Sequence, residues 1–82
     1  MTPTITFYGR DFVRVTFETR GPNFDLYFRG ETLVAFRAKG IFYRAENIWG
    51  VPGDRKKVKT ERLNQIDFNR AFNRAIKGIK WA

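Results

Sequence analysis

Apolar and polar residues alternate three times between Thr4 and Arg29. Ile5 and Phe7 alternate with Thr4, Thr6 and Tyr8, and Val13, Val15 and Phe17 with Arg14, Thr16 and Glu18. Phe24, Leu26 and Phe28 then alternate with Asp25, Tyr27 and Arg29. Side chains on a strand point to opposite faces in turn, so a period of two marks half-buried strands. A helix would need apolar positions three and four apart. The pattern predicts Asp25, Tyr27 and Arg29 on the outward face.

The breaks between runs are short and turn-like. Gly9-Arg10 separates the first two runs and Gly21-Pro22-Asn23 the next two. Pro cannot donate to a ladder, and Gly supplies backbone angles that other residues resist. Gly30-Glu31 fits a two-residue hairpin loop. A fourth run spans Leu33 to Ala38, Lys39-Gly40 forms a second tight turn, and a fifth run spans Ile41 to Ala45. Asn47 to Val51 extends the fifth or adds a sixth. Connections this short imply an antiparallel meander. Ile41, Phe42 and Tyr43 are apolar in succession, so the face that strand five turns inward stays open.

Pro52-Gly53-Asp54 ends the β region, and a basic loop follows. Thr60 is a candidate N-cap. At about 100° per residue, Phe68, Phe72, Ala75, Ile76 and Ile79 share one helical face, while Leu63 and Ile66 fall opposite. That conflict predicts a break near Ile66: a helical turn from Thr60 to about Gln65, then a main helix from about Phe68 to Ile79, capped by Asp67. Gly78 weakens its last turn. The phenylalanine stripe is the only long cover for the sheet. The expected fold is therefore α+β, an antiparallel five- to six-stranded β-meander covered by a C-terminal α-helix. A curled sheet closing toward a barrel is the alternative. One domain spans residues 1–82, with sheet at 4–51, basic loop at 52–59 and helical region at 60–80.

Composition narrows the chemistry. Eighty-two residues with 43% hydrophobic content suffice for one small core. A chain of this size buries roughly 60% of its unfolded surface. There is no cysteine and no histidine, which removes disulfides, thiolate metal sites and the usual general base near neutral pH. No phosphate-binding or dinucleotide-binding glycine motif occurs, and no carboxylate pair has metal-ligand spacing. The expectation is a protein that is not an enzyme, with no catalytic residues, no metal, no cofactor and no small-molecule substrate. No apolar stretch approaches the roughly 20 residues needed to span a bilayer, and the N-terminal segment lacks a signal-peptide apolar region. A soluble cytoplasmic protein with no membrane partner is expected.

Charge supplies the functional lead. The chain carries 16 Lys/Arg against 8 Asp/Glu. Residues 41–82 hold ten of the cations and four of the acids. Such a basic region attracts polyanions. On the predicted helix, Arg70, Arg74 and Lys77 line up at i, i+4 and i+7 opposite the phenylalanines, with Trp81 beside them and Asn73 and Lys80 at the edge. Cations one turn apart can engage successive phosphates, and a terminal indole can stack on a base. The loop Arg55, Lys56, Lys57 and Lys59, with Arg62, forms a second patch that widens electrostatic capture. Solvated charge on a helix or a loop gives the same pattern with no ligand. Tyr8, Phe12, Tyr27, Arg29, Arg37 and Arg44 mix aromatics with arginine on outward strand positions, the make-up of a single-strand stacking platform. Phe12 or Tyr8 covering an edge or a second small core is the stronger reading of the two, and Trp49 suits a core or a lid.

The stretch from Phe24 to Ile66, about half the chain, resembles a family of small proteins common in phage and prophage genomes. The matching residues are Glu31, Thr32, Val34 and Ala35 in a strand core, Trp49, and Thr60, Leu63 and Asn64 at a helical start. The family pattern departs from this chain in having a Ser/Thr-rich segment after the Trp and a His before the Asn. The family has no settled activity. The resemblance implies a viral origin, action in the host cytoplasm, and capping roles for Thr60 and Asn64.

Two functions compete on these grounds. One is a small basic phage-type nucleic-acid-binding accessory protein that contacts DNA or RNA phosphates through the C-terminal helix and the 55–62 loop. The other is a phage-encoded inhibitor or modulator of a host enzyme, for example an anti-CRISPR or other anti-defence factor. A virion component or homo-oligomer built by pairing sheet edges is a third.

Overall fold

Each alternating run of the first 45 residues is a strand. The computed structural model describes residues 2–52 and 58–81. It contains β1 (Thr4–Phe7), β2 (Phe12–Phe17), β3 (Phe24–Arg29), β4 (Thr32–Ala38), β5 (Ile41–Ala45), β6 (Thr60–Leu63) and α1 (Gln65–Gly78). The strands form a single six-stranded sheet in sequence order, antiparallel from β1 to β5. The architecture is the expected α+β sheet with a C-terminal helix across it. Gly30 takes φ +60° between β3 and β4, and Lys39-Gly40 takes +52° and +79° between β4 and β5. Two successive positive φ values match the turn that suits the twist of a tight hairpin.

Several expectations fail after Ala45. Asn47–Val51 forms no strand. The expected helical turn at Thr60–Gln65 is instead β6, paired parallel to β5 with Phe42 opposite Thr60 and Ala45 opposite Leu63. A single helical turn closes almost no hydrogen bonds for the dihedrals it fixes. The same residues laid along β5 satisfy its open edge, with Phe42 N–H donating to Lys59 O and Glu46 N–H to Leu63 O, both at 2.9 Å. Thr60 is therefore no cap. The helix starts at Gln65, with Asn64 as its cap and Asp67 within its first turn. No break falls at Ile66, whose side chain the first turn leaves 65% exposed.

Parallel pairing needs a long crossover. The chain between Ala45 and Thr60 supplies it, and its described residues cover the sheet face opposite the helix. Apolar residues accordingly pack on both faces. On the helix side, Phe24, Phe36, Ala38 and Phe68 form a buried cluster joined by Leu26, Tyr43 and Phe72. Phe36 sits at its centre, stacked on Tyr43 at 4.7 Å and edge-on to Phe68 and Phe72 at 5.4 and 5.3 Å. On the other face, Phe12, Tyr27, Val34, Ala35, Phe42 and Val51 form a second cluster, flanked by Ile48 and Val58. Tyr27 and Asp25 are therefore buried rather than outward.

A bulge in β4 lets both clusters form. Tyr27 opposes Ala35 and Phe28 opposes Leu33, so Val34 is the extra residue. Val34 and Ala35 both join the second cluster, while Phe36 returns to the helix side. The same frame settles strand five. Phe42 enters the second cluster and Tyr43 the helix-side cluster.

Candidate nucleic-acid interface

Register and helical period place the predicted cations. Asn64 starts α1, and the turn that buries Phe68 against Phe36 sets the phase of the whole helix. Phe68, Phe72, Ala75 and Ile79 then pack on the sheet, and Arg70, Arg74 and Lys77 are exposed on the outward side. The three positions fall within about 60° of one another at 3.6 residues per turn and span roughly 10 Å along the axis. Among the described residues, no carboxylate comes within ion-pair distance of them; the ion pairs seen are Arg37–Asp25 at 3.9 Å and Lys59–Glu61 at 3.8 Å. Ile76, expected on the packed stripe, is 41% exposed at its margin.

The electrostatics are graded along α1. A shallow cleft beside β6 is lined by Arg70 and Arg74 but also by Glu61 and Asp67. Toward the C-terminal end, Arg20, Lys39, Arg74 and Lys80 come together around a hollow to which no Asp or Glu contributes. The positive field therefore strengthens toward the end of the helix. Arg20 and Lys39 lie in turns remote from α1 in sequence, and charge counting by segment did not single them out. Only the packing of the 19–22 loop and the β4–β5 turn against the helix end reveals them.

Of the remaining predicted residues, Lys80 meets Arg74 of that row at the hollow, whereas the described residues Lys59 and Arg62 do not continue it. Arg55, Lys56 and Lys57 lie outside the described residues. Lys59 is exposed and pairs with Glu61. Arg62 is exposed on β6 opposite Arg44, on the face away from the helix. Lys80 is exposed, and its carbonyl accepts from Arg20 N–H at 3.0 Å. Trp81 does not stand free as a stacking ring. It bridges to Thr19 and meets Phe17 and Phe24 edge-on at 5.7 and 6.3 Å, which leaves 44% of the residue exposed. The indole pins the chain end to the sheet.

The strand aromatics do not stand together on an open stacking platform, and Phe12 takes the other role open to it. Phe12 and Tyr27 lie under the crossover, in the second small core. Burial pushes the Tyr27 hydroxyl above its ordinary pKa, although the Arg37 and Arg14 charges pull it down. The Tyr27 oxygen has no partner in hydrogen-bonding geometry, and neither has Arg14 Nε. Arg44 is buried, contrary to its expected outward position, and donates to Ile48 O. Trp49 is neither core nor closed lid. Its ring is 72% exposed and lies 5.8 Å from the Arg44 guanidinium.

Among the described residues, no cluster of three or more His, Cys, Asp or Glu is placed to hold a metal ion, and no helix is long and apolar enough to cross a membrane. Comparison with protein-family models, with curated proteins and with solved structures gave no match.

Proposed function

We propose that this chain is a small basic accessory protein that binds DNA or RNA through phosphate contacts. Arg70, Arg74 and Lys77 form the leading row, and Lys80, Lys59, Arg62 and the Arg55–Lys57 segment extend the capture field. A phage-type role inside a host cell, and binding without catalysis, belong to the same proposal. One observation carries it: three exposed cations stand in a row on the outward side of α1 with no paired carboxylate among the described residues. A row of roughly 10 Å spans about three steps of a strand at 3.4 Å each. Arginine adds bidentate contacts that lysine cannot make.

The test is fluorescence anisotropy of labelled single- and double-stranded oligonucleotides at low salt. The protein should bind, and the triple variant Arg70→Glu, Arg74→Glu, Lys77→Glu should not. Equal binding by the two proteins, or no binding by the natural one, removes the proposal.

A second reading is a protein-binding modulator of a host enzyme, such as an anti-defence factor. What favours it is β1, an edge strand that carries no charge and exposes Ile5 and Phe7, the latter by 75%. Unpaired edges and exposed apolar side chains are docking features. This reading requires a host-protein complex that survives nuclease treatment.

A further inference from the structure

The hollow at the end of α1 has a volume of about 470 Å³, within the range of small-molecule sites. Its floor is apolar, built from Phe24, Ala38, Ile41, Ala75 and Ile79. Small side chains from α1 and β4 leave the space unfilled. Its rim is cationic. Arg20, Lys39, Arg74 and Lys80 reach it from separate stretches of the chain, and no Asp or Glu lines it. All four are exposed. The wall is preformed: the Arg20 N–H to Lys80 O bond, the Thr19–Trp81 bridge and the Trp81 ring against Phe24 hold the chain end to the 19–22 loop.

These features select a ligand class. A nucleic-acid strand satisfies the rim and leaves the apolar floor wet. A neutral apolar molecule fills the floor and leaves the four cations without a counter-charge. A molecule with an apolar body and one anionic head satisfies both, because the body displaces water from the floor while the head sits among the cations. We propose that this hollow binds a small amphiphilic anion, a carboxylate, sulfonate or phosphate carried on an aliphatic or aryl body. The molecule is a ligand, not a substrate. The site is separate from the phosphate-binding row except for Arg74, which belongs to both.

The test is a two-dimensional amide NMR titration of the full chain with decanoate below its micelle concentration. Saturable shifts should map to Ala38, Ala75, Gly78 and the 19–22 loop. Each methylene removed, from decanoate to octanoate, should weaken binding about fourfold. Decyltrimethylammonium, with the same chain and the opposite charge, should not shift those amides. The double variant Arg20→Glu, Lys39→Glu should weaken decanoate at least about tenfold, as expected when close like-for-opposite charges are exchanged. That variant also lowers the charge beside the α1 row, so the charge-neutral Ala75→Leu separates the two proposals: it fills the floor and should lose decanoate binding while oligonucleotide binding persists. The proposal is overturned if decanoate and the cationic surfactant bind alike, if the shifts map to Ile5 and Phe7 instead, or if no saturable shift appears.

Discussion

Asn64 and Asp67 clasp each other across the first turn of α1. The Asn64 side-chain oxygen accepts from Asp67 N–H at 2.9 Å, and Asn64 Nδ2 donates to Asp67 Oδ2 at 3.1 Å. One bond satisfies an orphan amide of the helix start, and the other holds a carboxylate near the positive end of the helix dipole. The clasp also fixes where β6 stops, so it sets the phase that turns Phe68 inward and Arg70 outward. Asn64→Ala should destabilise the protein by about 1 kcal/mol, and Asn64→Gly by a few tenths. Urea denaturation checks this through the midpoint at unchanged slope. If Asn64→Ala costs nothing, the cap does not act through this bond.

Phe36 is a position where lost volume should be costly. It is fully buried and touches Phe24, Tyr43, Phe68 and Phe72. Phe36→Ala should cost about 3–5 kcal/mol, a large share of the roughly 4–12 kcal/mol available to a chain of this length. The variant should show broadened amide signals and a collapsed unfolding midpoint. Ile66→Ala, at an exposed position of α1, should stay within about 0.5 kcal/mol of the natural protein.

How much of this was legible beforehand varies by element. The strands Phe12–Phe17 and Phe24–Arg29 are plain in the sequence because alternation is a local property. Phe68, Phe72 and Ile79 are equally plain as the docking stripe of a helix. Thr60–Leu63 was not legible, because a four-residue strand owes its state to an open edge on β5 that is distant in sequence. Tyr27 and Arg44 look outward by parity and are buried by the crossover, which no periodicity announces. Val34 and Ala35 share a face only through a bulge. On the candidate site, the Arg70–Arg74–Lys77 row follows from helical period alone, whereas the contribution of Arg20 and Lys39 follows from packing.

Tyr27 gives a pH signature. Its hydroxyl is buried without a hydrogen-bond partner, and burial raises its pKa above the ordinary tyrosine value. Below about pH 10, both folded and unfolded chains keep the proton, and stability owes no pH dependence to this group. Above that value the unfolded chain releases the proton first, so stability falls as pH rises toward the folded-state pKa. Tyr27→Phe should flatten that alkaline fall relative to the natural protein. It should cost little at neutral pH, since it removes an unsatisfied polar atom. Stability measured from pH 8 to 11 for the two proteins checks this; parallel curves would show that the Tyr27 proton is not linked to folding.

The row on α1 should also be countable by salt. Neutralising one phosphate contact changes the slope of log K against log salt by about 0.9 for duplex DNA and about 0.7 for single strands. Arg70→Gln and Lys77→Gln should each lower the slope by about that amount and weaken binding to all sequences alike, as expected of phosphate rather than base contacts. Arg70 shares its cleft with Glu61 and Asp67, whereas Lys77 lies nearer the helix end where carboxylates are absent from the hollow. Lys77 should therefore carry the larger loss of affinity at low salt, despite lacking the bidentate geometry of arginine. Anisotropy titrations over a range of salt concentrations separate slope from intercept. Unchanged slopes in both variants would mean that this face of α1 does not meet phosphates.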